Sequence, residues 1–115
     1  MDRPVVIVAS DPALLSSLRF ALSVEGFDVR EADDIAHPGA SLVVDQDRVG
    51  GGLALVAALR AAGNSAPVIL LVTHPDRNLR TRAKLLGVEL LEKPLQRDDL
   101  SRLLATSPDP LARAE

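Results

Sequence analysis

Three short, largely apolar segments that each end on a polar residue constrain the fold of this 115-residue chain most strongly. They are Leu42–Asp45, Val68–Thr73 and Val88–Lys93, and they end on an acid, a hydroxyl and an amine. Apolar runs of this kind are typical of strands buried in a parallel sheet. Because the carboxyl ends of parallel strands line one crevice, where ligands usually bind, we expect these three polar residues to converge there.

The N-terminal segments alternate between strand and helix patterns. Val5–Val8 is a β-branched run typical of a buried strand. Asp11 followed by Pro12 predicts a helix start with Asp11 as its N-cap, and apolar residues at helical spacing continue to a stop at Gly26. Phe27–Ala32 alternates apolar and polar residues, which predicts a half-covered edge strand.

The link between the second and third predicted strands is unusually short. It runs from Asp33 to Ala40 and contains Pro38 and Gly39, whereas a crossover between parallel strands normally takes about a dozen or more residues, usually with a helix. We therefore expect a loop or a single helical turn here, with an uncovered patch of sheet beside it.

Three further helices are predicted after the central strands. The first covers Gly52–Ala62, and the second is opened by His74–Asp76 and stopped by Gly87. The third carries Asp98 and Asp99 in its first turn, where the helix dipole favours negative charge. Alternation of strands and helices along the whole chain predicts a five-stranded parallel sheet with helices on both faces.

The composition excludes several classes of protein. The chain has no cysteine, so a disulfide framework and a Cys-ligated metal are excluded. A net charge of −3 argues against direct nucleic acid binding. No apolar run approaches the roughly 18 residues of a membrane span, and the N-terminus lacks the features of a signal peptide. We expect one cytoplasmic domain over residues 1–106, followed by a tail or linker start over residues 107–115.

With these landmarks the chain resembles the receiver domains of bacterial two-component response regulators, over nearly all of its length. The resemblance rests on the acid that ends the third strand, the threonine that ends the fourth and the Lys-Pro pair that ends the fifth, here Asp45, Thr73 and Lys93-Pro94. It implies a flavodoxin-like, doubly wound sheet of strand order 2-1-3-4-5. It also implies that Asp45 is the phosphoacceptor, that Lys93 pairs with it and with phosphate, and that Thr73 hydrogen-bonds the phosphoryl group. The Lys93–Pro94 peptide is commonly cis in this family.

The chain departs from the family pattern at several positions. Ala9 and Ser10 stand where receivers carry two adjacent acids that hold magnesium, and Leu90 stands where they carry an aromatic switch residue. Asp11 falls one position later, as a helix cap, so Asp11 and Asp47 are only weak candidates for metal ligands. With so few carboxylates we expect Mg²⁺ to bind weakly. We therefore predict slow or absent phosphorylation of the acceptor aspartate and no required cofactor.

These residues leave three functions open. We favour an atypical receiver that is not an enzyme and signals through a protein partner or output domain without phosphorylation. The alternative is a receiver phosphorylated on Asp45 by a histidine kinase, with Mg²⁺. The third is a small nucleotide-binding α/β enzyme, but Gly50–Gly52 lacks the lysine and spacing of a P-loop. For Asp45 itself, a buried ion pair with Lys93 that is only a relic of the family site remains an equal hypothesis.

Two surfaces are candidates for partner binding. In receivers, the helix after the fourth strand, the fifth strand and the last helix form the usual docking or dimerisation face. Its charged residues here are Arg77, Arg80, Lys84, Glu92, Asp98 and Asp99. Opposite charges on this face would pair across the two-fold axis of a homodimer, although such a row is usually only a solvated face. The sheet patch expected beside the short link is the second candidate.

Overall fold

The computed structural model describes residues 3–95 and 99–106, so the predictions for Asp98 and for the tail lie outside the described residues. The strands are β1 (Pro4–Val8), β2 (Asp28–Arg30), β3 (Ser41–Asp45), β4 (Val68–Val72) and β5 (Val88–Glu92). The helices are α1 (Pro12–Val24), α2 (Gly52–Ala61), α3 (Arg77–Leu85) and α4 (Asp99–Thr106). A single 3₁₀ turn, Ala32–Asp34, lies between β2 and β3.

The five strands form one parallel sheet in the order β2-β1-β3-β4-β5, which confirms the predicted flavodoxin-like fold. In the register, Asp45 of β3 lies opposite Leu71 of β4, and Val72 of β4 lies opposite Glu92 of β5. The residues that follow β3, β4 and β5 therefore emerge at one edge of the sheet, as the sequence predicts.

Alternate strand residues face two separate apolar clusters, one on each side of the sheet. One cluster packs β1, β3 and β4 against α2 and α3, with Leu53, Val56 and Ala83 among its buried helical residues. The other packs the opposite strand faces against α1 and α4, with Leu18 and Leu104 among its buried helical residues. Because both faces are covered by helices, the interiors of β1, β3 and β4 are continuously apolar, whereas the edge strands β2 and β5 also carry polar residues.

The predicted loss of the helix between β2 and β3 is confirmed, but the expected uncovered patch of sheet is wrong. Val6, on the β1 face beside the short link, is fully buried. Ile35 packs against its cluster, and Arg30 of β2 lies opposite Val6 in the register. Arg30 forms ion pairs with Asp28 at 3.0 Å and with Asp34 at 3.1 Å. A polar strand edge and one turn thus replace the missing helix.

The predicted cap at Asp11 is present, and Asp76, in the segment predicted to open a later helix, also acts as a cap. The Asp11 side chain accepts a hydrogen bond from Ala13 N at 3.0 Å, and the Asp76 side chain accepts one from Leu79 N at 2.8 Å. Helix α1 ends just before Gly26, which has a φ of 95°, in the left-handed region that favours glycine. None of the described helices is long and apolar enough to cross a membrane.

Candidate functional site

Asp45 and Lys93 are in contact at the carboxyl edge of the sheet. The Asp45 carboxylate is buried at the end of β3, and its Oδ1 lies 2.7 Å from Lys93 Nζ. Lys93 follows β5 directly, and its backbone N–H donates to the carbonyl of Val72 at 2.8 Å, which extends the sheet to the lysine. The convergence of these two residues predicted from the strand ends is therefore observed, and the ion pair that the resemblance implies is formed.

A second carboxylate also holds Lys93. Asp47 Oδ2 lies 3.1 Å from Lys93 Nζ, and the Asp47 backbone N–H donates to Asp45 Oδ1 at 3.2 Å. Sequence reasoning named Asp47 only as a weak metal candidate and missed this ion pair. The available signal was that an aspartate at a strand end often accepts a hydrogen bond from the residue two positions on, which brings that residue close.

Opposing influences set the pKa of the Lys93 ammonium. Partial burial alone lowers its pKa, but the hydrogen bonds and negative charges of Asp45 and Asp47 together outweigh burial. The net result is a pKa above the ordinary value for lysine, so Lys93 is positively charged at neutral pH.

The loop after Asp45 is shaped by a close contact at Gly52. A Cβ at this position would lie 2.7 Å from the Asp45 carbonyl oxygen and 2.9 Å from Leu70 Cδ1, so no larger residue fits without a shift. Gln46 Oε1 accepts from Leu53 N at 2.7 Å, at the start of α2. Gly52 thus allows α2 to begin directly behind the acid that ends β3.

The end of β1 contributes contacts of a different kind. Ser10 Oγ accepts a hydrogen bond from the Val49 backbone N–H at 2.8 Å, which joins the β1–α1 loop to the loop after β3. Ala9 offers no side-chain ligand, and the Asp11 carboxylate is turned to the backbone of α1. Within residues 3–95 and 99–106, no group of three or more His, Asp or Glu residues lies close enough to hold a metal ion.

Thr73 and Leu90 occupy the positions expected from the sequence, but among the described residues no side-chain hydrogen bond or ion pair joins either of them to Asp45 or Lys93. Thr73 directly follows β4, is exposed, and lines a polar cleft together with Gln46, His74 and Arg82. Leu90 lies in β5 and is partly buried against the cluster that packs on α2 and α3. The phosphoryl contact implied for Thr73 stays a prediction.

The charged face around α3 is partly neutralised within the chain. Arg80 Nη2 lies 3.1 Å from Glu92 Oε1, and both side chains are half-exposed. Arg77 and Lys84 are exposed on the same helix, and Asp99 lies in the first turn of α4. The opposite charges predicted to pair across a dimer axis therefore include two that already pair with each other, and the dimer itself stays a prediction.

Sequence comparison finds a relative among transcriptional regulators. The chain is 32% identical over 124 aligned positions to the transcriptional regulatory protein FixJ of Bradyrhizobium diazoefficiens. The alignment covers 96% of this chain but 60% of FixJ, so the chain spans less than two thirds of that relative. No protein-family model matches the chain.

Comparison with solved structures also finds FixJ, together with a chemotaxis protein of similar fold. Full-length FixJ from B. japonicum matches with a TM-score of 0.80 at 25% identity, over 97% of this chain and 59% of that one. Chemotaxis protein CheY4 of Vibrio cholerae matches with a TM-score of 0.80 at 19% identity, over 91% of this chain and 98% of that one, and supports the fold alone. The sheet order and the polar residues at the strand ends define a CheY-like domain. Together with the likeness to FixJ, they support a response-regulator receiver domain.

Proposed function

We propose that this receiver domain signals through protein–protein contacts without phosphorylation of Asp45. The observation that carries the proposal is the position of the Lys93 ammonium, 2.7 Å from Asp45 and 3.1 Å from Asp47. The cation of the crevice is thus already paired with two anions of its own chain. A phosphoryl group that approaches Lys93 would meet the negative charge of both carboxylates, which favours a crevice with one resting state.

The side chains at the crevice do not fit the magnesium ion that the family implies. Magnesium binds carboxylate and phosphate oxygens, but the two carboxylates here, Asp45 and Asp47, both contact the positive Lys93. Ala9 has no ligand atom, and the hydroxyl of Ser10 accepts the Val49 N–H instead. Without that ion, the charge that develops on a transferring phosphoryl group would not be neutralised.

The partner proposed for this domain is a protein. Receiver domains are signalling domains, and FixJ, of which the chain spans 60%, is named as a transcriptional regulatory protein. By analogy the partner is an output domain or a separate regulator in the cytoplasm, reached through the face of α3, β5 and α4. A homodimer through the same face is the proposed assembly, without direct contact to nucleic acid or membrane.

Intact-mass measurement after incubation with acetyl phosphate and Mg²⁺ tests the proposal. We expect no phosphoryl adduct on the wild-type chain, because the crevice lacks the carboxylates that bind the metal. The double variant Ala9→Asp/Ser10→Asp restores two acids at the end of β1 and should gain an adduct, which Asp45→Asn should then abolish. A wild-type adduct that Asp45→Asn removes would refute phosphorylation independence.

The same measurement decides the second candidate function, a receiver phosphorylated on Asp45 by a histidine kinase. The observation that favours it is the retained 2.7 Å contact between Asp45 and Lys93 at the strand edge. Under this alternative, Asp47 would leave Lys93 and serve as a metal ligand. Asp47→Asn would then reduce the wild-type adduct, whereas our proposal expects no adduct in either protein.

A further inference from the structure

The Lys93 ammonium is held between two carboxylates that come from one turn of chain. Asp45 Oδ1 lies 2.7 Å and Asp47 Oδ2 lies 3.1 Å from Lys93 Nζ. In the part of the chain that the structure describes, these are the carboxylates within ion-pair distance of this ammonium. An ammonium has three N–H donors, so two of the three are used internally.

The two carboxylates that contact Lys93 differ in their exposure to solvent. The Asp45 side chain is 4% exposed, that of Lys93 is 23% exposed and that of Asp47 is 65% exposed. Asp45 therefore binds the ammonium from the protein interior, and Asp47 binds it from the solvent side. A dissolved anion that approaches Lys93 meets the like charge of Asp47 first.

The backbone that carries Asp47 is anchored at three consecutive residues. The N–H of Asp47 donates to Asp45 Oδ1 at 3.2 Å, and the N–H of Arg48 donates to the Asp45 carbonyl at 3.1 Å. The N–H of Val49 donates to Ser10 Oγ at 2.8 Å. Because these contacts fix the turn, the Asp47 carboxylate is presented to Lys93 by the fold rather than by a freely moving loop.

We propose that Asp47 is an internal counter-ion that closes Lys93 to oxyanions such as phosphate. The inference deepens the proposed function and rests on it, since it explains how the crevice keeps one state without a phosphoryl group. Removal of the Asp47 charge would open an oxyanion site at Lys93, with Asp45 still holding the ammonium from the interior. The raised pKa of Lys93 agrees with this arrangement, because it keeps the cation charged.

Amine labelling with acetic anhydride tests this inference in the full chain. Lys84 and Lys93 are its two lysines, so peptide mass mapping gives the Lys93 rate relative to the exposed Lys84 in the same sample. Asp47→Asn should raise the relative Lys93 rate about two- to fivefold, because an exposed ion-pair partner contributes little more than this factor. Asp33→Asn, which removes the same charge from the exposed turn between β2 and β3, should leave the ratio unchanged.

Inorganic phosphate provides the second readout. It should protect Lys93 from labelling in Asp47→Asn and in Asp47→Ser, and it should give no protection in the wild-type chain. Unchanged labelling in both Asp47 variants, or equal phosphate protection of the wild type, would overturn the inference. Failure of the proposed function would be seen in a different measurement, as a phosphoryl adduct on Asp45 of the wild-type chain. The two failures are therefore distinguishable.

Discussion

Two regions of this receiver domain use the same charge pattern, one cation between two carboxylates, in different surroundings. At the carboxyl edge, Lys93 lies between Asp45 and Asp47, and the Asp45 side chain is 4% exposed. At the β2 edge, Arg30 lies between Asp28 and Asp34, whose side chains are 40% and 48% exposed. The two clusters therefore differ in burial: the Lys93 cluster contains one buried carboxylate, whereas both carboxylates of the Arg30 cluster are exposed.

The difference has a physical consequence for each cluster. Charges that stay in water gain little from pairing, so we expect the Arg30 cluster to contribute little to the stability of the fold. A buried carboxylate must keep its partner, because an unpaired buried charge is costly. The Lys93 cluster is therefore the one whose arrangement the fold enforces, and the following predictions test that contrast.

The largest expected difference between the two clusters is in stability, when one carboxylate of each cluster is replaced by asparagine. Asp45→Asn should lower the free energy of unfolding by about 1–3 kcal/mol, because it removes a charge-assisted hydrogen bond inside the protein. Asp34→Asn, the matched change at the β2 edge, should cost about 1 kcal/mol or less, because Asp34 and its partner Arg30 are 48% and 34% exposed. Urea unfolding of both variants measures the difference, and equal losses would remove the contrast between the two regions.

A smaller effect is expected at alkaline pH, where only one of the two cations titrates. The pKa of Lys93 is raised in the folded chain, so its stabilising contribution is complete below the unfolded value of about 10.4 and is lost as pH rises through the folded pKa. Arg30 stays charged over this range. The chain has no Tyr or Cys, so no phenol or thiol adds to this alkaline transition.

Urea unfolding at about pH 9 and about pH 11 measures this alkaline loss. Lys84→Arg should retain the loss of the wild-type chain, because Lys84 is exposed and Lys93 is unchanged. Lys93→Met should show a smaller loss, since it lacks the titrating ammonium. An identical alkaline loss in Lys93→Met and the wild type would show that the pair with Asp45 and Asp47 does not stabilise the fold.

Local sequence patterns were sufficient for the parallel sheet and for the edge at which Asp45 and Lys93 lie, whereas the strand order and the pairing of these two residues came from the resemblance to receiver domains. Apolar runs with polar ends placed Asp45 and Lys93 at one edge, Asp11 and its following proline marked the start of α1, and the short link after β2 excluded a crossover helix. Each of these inferences depends on neighbouring residues or on strand direction. Such features depend on backbone geometry and can therefore be predicted from the sequence alone.

Two of the contacts that sequence reasoning missed join residues far apart in the chain. The Asp47–Lys93 ion pair and the Ser10–Val49 hydrogen bond depend on loop paths that no periodicity encodes. The ion pairs of Arg30 with Asp28 and Asp34 join residues close in sequence, but an alternating strand pattern does not tell which ion pairs its polar residues form. Side-chain direction in the folded chain decides all three contacts.

The central claim is that the Asp45–Lys93–Asp47 arrangement holds the crevice in one state without a phosphodonor. Comparison of the ¹H–¹⁵N NMR spectra of the wild-type chain with and without acetyl phosphate and Mg²⁺ tests it most directly. We predict that the backbone amide signals of Asp45, Thr73 and Lys93 keep their positions when the donor is added. Donor-dependent shifts at these residues that disappear in Asp45→Asn would contradict the claim.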